Sequence, residues 1–106
     1  MPPGGANALC LTARIVELGA PRHTPAGLPA LDLRLEHEST VQEAGQPRQA
    51  KAALKAVALG AVAERLGKQA VGSLWRFTGF LASPRNAKTV VFHIQDFQQD
   101  QFQGGS

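Results

Sequence analysis

Lys51 and Lys55 stand four residues apart, and Arg48, Arg85 and Lys88 lie in the same half of the chain. With Arg65, Lys68 and Arg76 they make eight basic residues between Ala44 and Gln95, against one acid, Glu64, so this stretch carries +7. The first 43 residues hold three basic and five acidic groups, and the last eleven hold two acids, which brings the whole chain to +3. A basic half on a small domain is the electrostatic footprint of a polyanion ligand, because closely spaced phosphates reward clustered Lys and Arg. Charge alone serves the bland alternative equally well, a solvated surface that only keeps the chain dispersed.

The side chains that could do covalent or metal chemistry are not arranged for it. His23, His37 and His93 are scattered along the chain, no two at the spacing of metal ligands, and a single cysteine cannot complete a zinc site. Glu36 precedes His37, but neighbours on a strand point to opposite faces, so the acid cannot orient that imidazole. No phosphate-cradling glycine loop, nucleophile elbow or carboxylate pair is present. Nothing supports an enzyme, and no cofactor is implied. Cys10, within Leu-Cys-Leu, reads as a small buried hydrophobe. One cysteine allows no intrachain disulfide, which fits a reducing compartment. No apolar run approaches the roughly 18 residues of a membrane span, and residues 1–7 lack the basic start and apolar stretch of a signal peptide. The expected location is cytoplasmic, with no membrane partner.

The elements that must position the basic residues follow from periodicity. At 106 residues the chain has material for one core. Leu31 to Glu36 alternates leucine with charge, the period of a half-buried strand. Thr89 to Ile94 and Leu74 to Leu81 are rich in β-branched and aromatic residues and read as strands. Leu9 to Val16 is another, with Leu9, Leu11, Ala13 and Ile15 on one face. Gly19-Ala20-Pro21 and Thr24 to Pro29 separate the first two strands. Ser39 to Pro47 reads as a polar loop, and Pro84-Arg85-Asn86-Ala87 as a short turn. From Gln49 to Val71 the composition is helical, although Gly60 costs such a helix about 1 kcal/mol. A helix is expected over 61–70. Residues 49–59 stay open between helix and strand; as a strand they send Lys51, Ala53 and Lys55 to one face and Ala52, Leu54 and Ala56 to the other. Five strands with a helix between the third and fourth describe an all-β, five-stranded Greek-key barrel, the OB-fold, over 8–97. It is flanked by a flexible N-terminus at 1–7 and a polar tail at 98–106.

Three blocks resemble the primosomal replication protein N (PriB) family: Thr24-Pro25-Ala26-Gly27-Leu28-Pro29, Leu35 to Gly45, and Arg48-Gln49-Ala50. Val71-Gly72-Ser73, Gly79-Phe80-Leu81 and Val91-Phe92-His93 resemble its closing strands, so the likeness runs from about Asn7 to Phe97. It implies an OB-fold homodimer that binds single-stranded DNA. It also implies a role in replication restart, bridging a restart helicase and helicase-loading proteins of the primosome. It makes residues 48–59 the third strand despite their composition. Arg22 falls in the loop after strand one where the family has a basic DNA-contacting residue, and Arg48 matches a family arginine. Arg85 and Lys88 fall in the loop where the family carries several lysines, though this loop is shorter and less basic. Lys51 stands where the family pattern has a base-stacking tryptophan, Gln46-Pro47 replaces another aromatic, and Glu38 replaces an arginine.

The candidate nucleic-acid-binding residues are therefore Arg22, Arg48, Lys51, Lys55, Arg85 and Lys88. Single-strand binding needs a positive groove and flat rings for bases. The groove is well supplied and the rings are few: no tyrosine, one tryptophan and five phenylalanines. Trp75 and Phe77 share a face that reads as core. Phe80 points the other way, as an exposed platform or part of a dimer contact, and Phe102 in the tail is a candidate partner-docking residue. Two other readings compete. One is a protein-interaction OB subunit with weak DNA affinity that mainly stimulates its helicase partner. The other is a general single-strand-coating protein, which the short tail ending Gly-Gly-Ser argues against.

Overall fold

Leucine alternating with charge produces what its period requires. Leu31, Leu33 and Leu35 are buried, while Asp32, Arg34 and Glu36 are exposed. The computed structural model describes residues 5–99. Its elements are β1 (Leu9–Leu18), the two-residue β2 (Arg22–His23), β3 (Pro29–Glu43), β4 (Gln46–Leu59), α1 (Ala61–Leu66), β5 (Leu74–Ala82) and β6 (Val91–Gln98). β1 is shared between two neighbours. Its first half pairs with β5, from Leu9↔Gly79 to Arg14↔Leu74, and its second half with β3, from Arg14↔Glu36 to Leu18↔Leu33. β3 pairs with β4, β4 runs parallel to β6 at Ala56↔Phe92, and β6 returns antiparallel to β5. The circuit closes, giving the five-stranded OB barrel, with β2 a small addition to the β3 edge. Register shifts between Ile15 and Glu17 and between Thr78 and Gly79 add the local twist that closure needs.

Phe77, Phe92, Ile15, Leu35 and Leu66 are fully buried at the centre. Burying side chains of this size contributes about 1.5–3 kcal/mol each. Trp75 packs against the core as its alternation implies. Its ring meets Phe97 edge-on at 5.0 Å, and its Nε1–H donates to the Ser73 hydroxyl at 2.8 Å. α1 turns Val62, Ala63 and Leu66 inward against β3, β4 and β6. Among the described residues no helix is long and apolar enough to cross a membrane.

Several expectations shift. Residues 49–59 lie within a strand, because helix propensities differ by only tenths of a kcal/mol per residue, whereas this segment gains a ladder partner along its whole length and a second at its end. Gly60 ends β4 at φ 80°, a conformation that favours glycine. The helix stops at Leu66 rather than residue 70: beyond Gly67 the bonds tighten to Lys68→Arg65 and Gln69→Leu66. The loop expected at 39–47 is strand almost throughout. β3 and β4 pair out to Glu43↔Gln46 around a two-residue turn, in which Ala44 (φ 55°) and Gly45 (φ 78°) both have the positive φ of a type I′ hairpin. β6 begins at Val91, leaving Thr89 and Val90 outside it, and runs on to Gln98. Cys10 is exposed, not buried; it stands opposite Thr78 on the outer side of β1, and strand parity prevails over its apolar neighbours. Of the segment expected to be loose, Asn7 is held to the backbone of Leu81 by two hydrogen bonds. Residues 1–4 and 100–106, including Phe102, lie outside the described residues.

Candidate nucleic-acid interface

The β3–β4 hairpin carries the first part of the site. Within the barrel its inner face is leucine and alanine. From His37 and Ala53 outward it projects as an arm whose side chains are exposed or half-buried on both faces. On its outer face Lys51 stands opposite Glu38, and Lys55 opposite Arg34. Arg48 is on the other face of the ladder, opposite Val41. The expected grouping of Arg48 with Lys51 and Lys55 is thus divided by the sheet itself.

Ion pairing divides the six candidates further. The Arg22 Nε–H donates to Asp32 at 2.8 Å, with a second bond at 3.1 Å, a bidentate clasp of β2 onto β3. The guanidinium holds the Asp32 carboxyl below its usual range, against partial burial that pushes the other way. Arg48 lies 3.2 Å from Glu43, and Lys51 lies 3.7 Å from Glu38. Gln49 donates to the same Glu38 oxygen at 2.7 Å. All these groups are well exposed, so each pair contributes no more than about 1 kcal/mol, but each cation already has a carboxylate beside it. Lys55, Arg85 and Lys88 form no ion pair among the described residues. Arg34, directly opposite Lys55, is drawn toward Glu17 at 3.6 Å.

Arg85 and Lys88 sit in the loop between β5 and β6. There Asn86 takes φ 64° and the Ala87 N–H donates to the Pro84 carbonyl, the expected turn. This loop springs from Ala82↔Val91, and Val91 borders Lys55 in a groove of about 380 Å³ with Glu17, Asp32 and Arg34. Lys51, Lys55 and the loop therefore lie along one continuous outer face, crossing from β4 to β6 to β5.

Composition did not reveal two features. His37 ties the arm to β1: a carbonyl only accepts, so Nδ1–H donates to Thr12 O at 2.7 Å, and Nε2 faces the Ser39 hydroxyl at 2.8 Å. A groove of about 530 Å³ opens beside it, where the first half of β1 leaves β3, between Thr12, Arg14 and Lys51. The second feature is a ring stack. Phe80 and His93 are in register on β5 and β6, with centroids 4.9 Å apart and planes 9° from parallel. Phe80 is half-buried rather than fully exposed.

A family model described as another single-strand binding protein family matches residues 7–96. The chain is 50% identical over 90 residues, 84% of each chain, to the replication restart protein PriB of Bordetella pertussis. Among solved structures, PriB from Ralstonia solanacearum superposes with a TM-score of 0.82 at 35% identity, covering 90% of this chain and 98% of that one. A deletion variant of the single-stranded DNA binding protein from Thermus aquaticus gives 0.74 at 25% identity, covering 94% of this chain and 53% of that one.

Proposed function

The chain belongs to the PriB family of replication restart proteins, and on that footing we propose that it acts in DNA replication restart by binding single-stranded DNA without sequence preference. The contact surface is the outer face of β4 together with the β5–β6 loop. The observation that carries this reading is the position of Lys55, Arg85 and Lys88: cations on one side of the barrel, free of ion pairs among the described residues. Lys51 joins them when a phosphate displaces Glu38. Arg22 contributes from the same side once released from Asp32, while Arg48 serves only a strand that wraps the arm.

Fluorescence anisotropy of a labelled 30-nucleotide poly-dT, titrated at several salt concentrations, tests this. About four to six phosphate contacts give a slope of roughly −3 to −4 in log K against log salt. Lys51→Glu combined with Arg85→Glu lowers affinity at least tenfold while melting stays unchanged. Unaltered affinity in that double variant places the DNA elsewhere.

The same reading includes a homodimer and a bridge between a restart helicase and helicase-loading proteins. The first half of β1, bordered by the His37 groove, is the edge proposed for the isologous contact. A second reading, an adaptor with weak DNA affinity that works through its helicase partner, is favoured by the Glu38–Lys51 and Glu43–Arg48 pairs. These neutralise much of the arm's charge.

A further inference from the structure

We propose that the stacked Phe80–His93 pair is a platform on which a base of single-stranded nucleic acid stacks, an inference that rests on the DNA-binding reading above. The pair is a built feature of the barrel surface. Its two residues are direct cross-strand partners, and near-parallel rings 4.9 Å apart form a short aromatic column running from β5 to β6. The flanks of the column are small. Val57 stands beside His93 on β4. On the other side Leu9 faces Gly79 and Asn7 is bonded to Leu81, so Ala8 lies opposite Phe80. Neither neighbour is large enough to cover the rings, and both rings remain half-exposed.

The surroundings suit a nucleic acid strand. Lys55 is two residues before Val57 on the same face of β4, and the loop bearing Arg85 and Lys88 begins three residues beyond Phe80. The acids on this face are already engaged: Asp96, opposite Thr78, pairs with Arg65, and Asp32, opposite Val57, is held by Arg22. Aromatic rings among unpaired cations are the two ingredients of a single-strand site, bases on π-faces and phosphates on ammonium or guanidinium groups. On the arm Lys51 and Gln46 offer no ring, and among the described residues the stacked rings on this outer face are those of Phe80 and His93.

The test compares a 30-nucleotide poly-dT with an abasic deoxyribose-phosphate strand of equal length. Phe80→Leu, which keeps apolar bulk, weakens poly-dT binding about fivefold or more and leaves abasic binding unchanged. Lys51→Glu with Arg85→Glu weakens both. Phe80→Trp retains poly-dT affinity, and its added fluorescence is quenched by poly-dT but not by the abasic strand. This second variant decides the matter if Phe80→Leu fails to fold. Equal poly-dT affinity in Phe80→Leu and the parent chain overturns the platform and leaves the DNA reading standing, as does an unquenched Phe80→Trp. If Phe80→Leu changes sedimentation instead, the pair is a protein contact and the proposal fails. Failure of the parent chain to bind either strand overturns both.

Discussion

Gly79 and the carbonyl oxygen of His93 leave no room for a methyl group between them: a Cβ at residue 79 would overlap that oxygen and crowd the Phe92 ring. The contact lies at the register shift of β5 against β6, one residue before the Phe80–His93 pair. Glycine is needed here for space, because two backbones approach closely.

Gly79→Ala therefore forces β5 away from β6. The expected cost is about 1–3 kcal/mol, the usual range for an overpacked core, read as a lowered melting temperature. Because the residue is buried in the barrel wall, an unchanged melting temperature would show that the strands separate there without penalty.

Ala44 holds φ 55° at the first position of the hairpin turn. A non-glycine residue pays roughly 1–2 kcal/mol for that conformation, and asparagine pays less because its side chain bonds locally. Ala44→Asn is expected to stabilise the arm by up to about 1 kcal/mol, detectable as slower amide exchange from Val41 to Arg48. Faster exchange in the variant would contradict the turn assignment.

Glu38 accepts from Gln49 and faces Lys51. Glu38→Gln removes the carboxylate and leaves Lys51 to a phosphate. Single-strand affinity should rise a few-fold at low salt, and the salt slope should steepen by up to about 0.7, one further contact. Equal affinity and slope would exclude Lys51 from the DNA path.

Periodicity made much of the barrel legible. Leu31, Leu33 and Leu35, and likewise Ala13 and Ile15, are buried where alternation places them. The third strand was not legible from composition, since Ala, Leu and Lys favour a helix and only pairing with β3 and β6 decides otherwise. The arm was missed for a related reason: a polar run reads as loop, yet a ladder needs backbone hydrogen bonds and a turn, not apolar side chains. Strand parity already carried the separation of Arg48 from Lys51 and Lys55. Ion pairing did not appear in it, because Glu38 and Glu43 meet their partners only across the hairpin. The Phe80–His93 register was also hidden. A turn centred on Pro84–Ala87 would set Phe80 opposite Val91, and the observed loop runs two residues longer on the β6 side.

The arm has a consequence for how this molecule keeps its own kind at a distance. β1 leaves β3 at Glu36 and β6 covers β4 only from Ala56 to Ala58, so beyond the barrel both outer edges of the hairpin lack a ladder partner among the described residues. A bare edge of that length is a template for any extended chain. Pro47 interrupts one edge by offering no N–H, and Glu38, Glu43, Arg48 and Lys51 deter a third strand with charge on both faces. The carboxylates that dilute the arm's affinity for phosphates, Glu38 and Glu43, are thus among the residues that keep it from propagating into an aggregate. Stripping those carboxylates to gain affinity would sacrifice colloidal stability first at the hairpin edge.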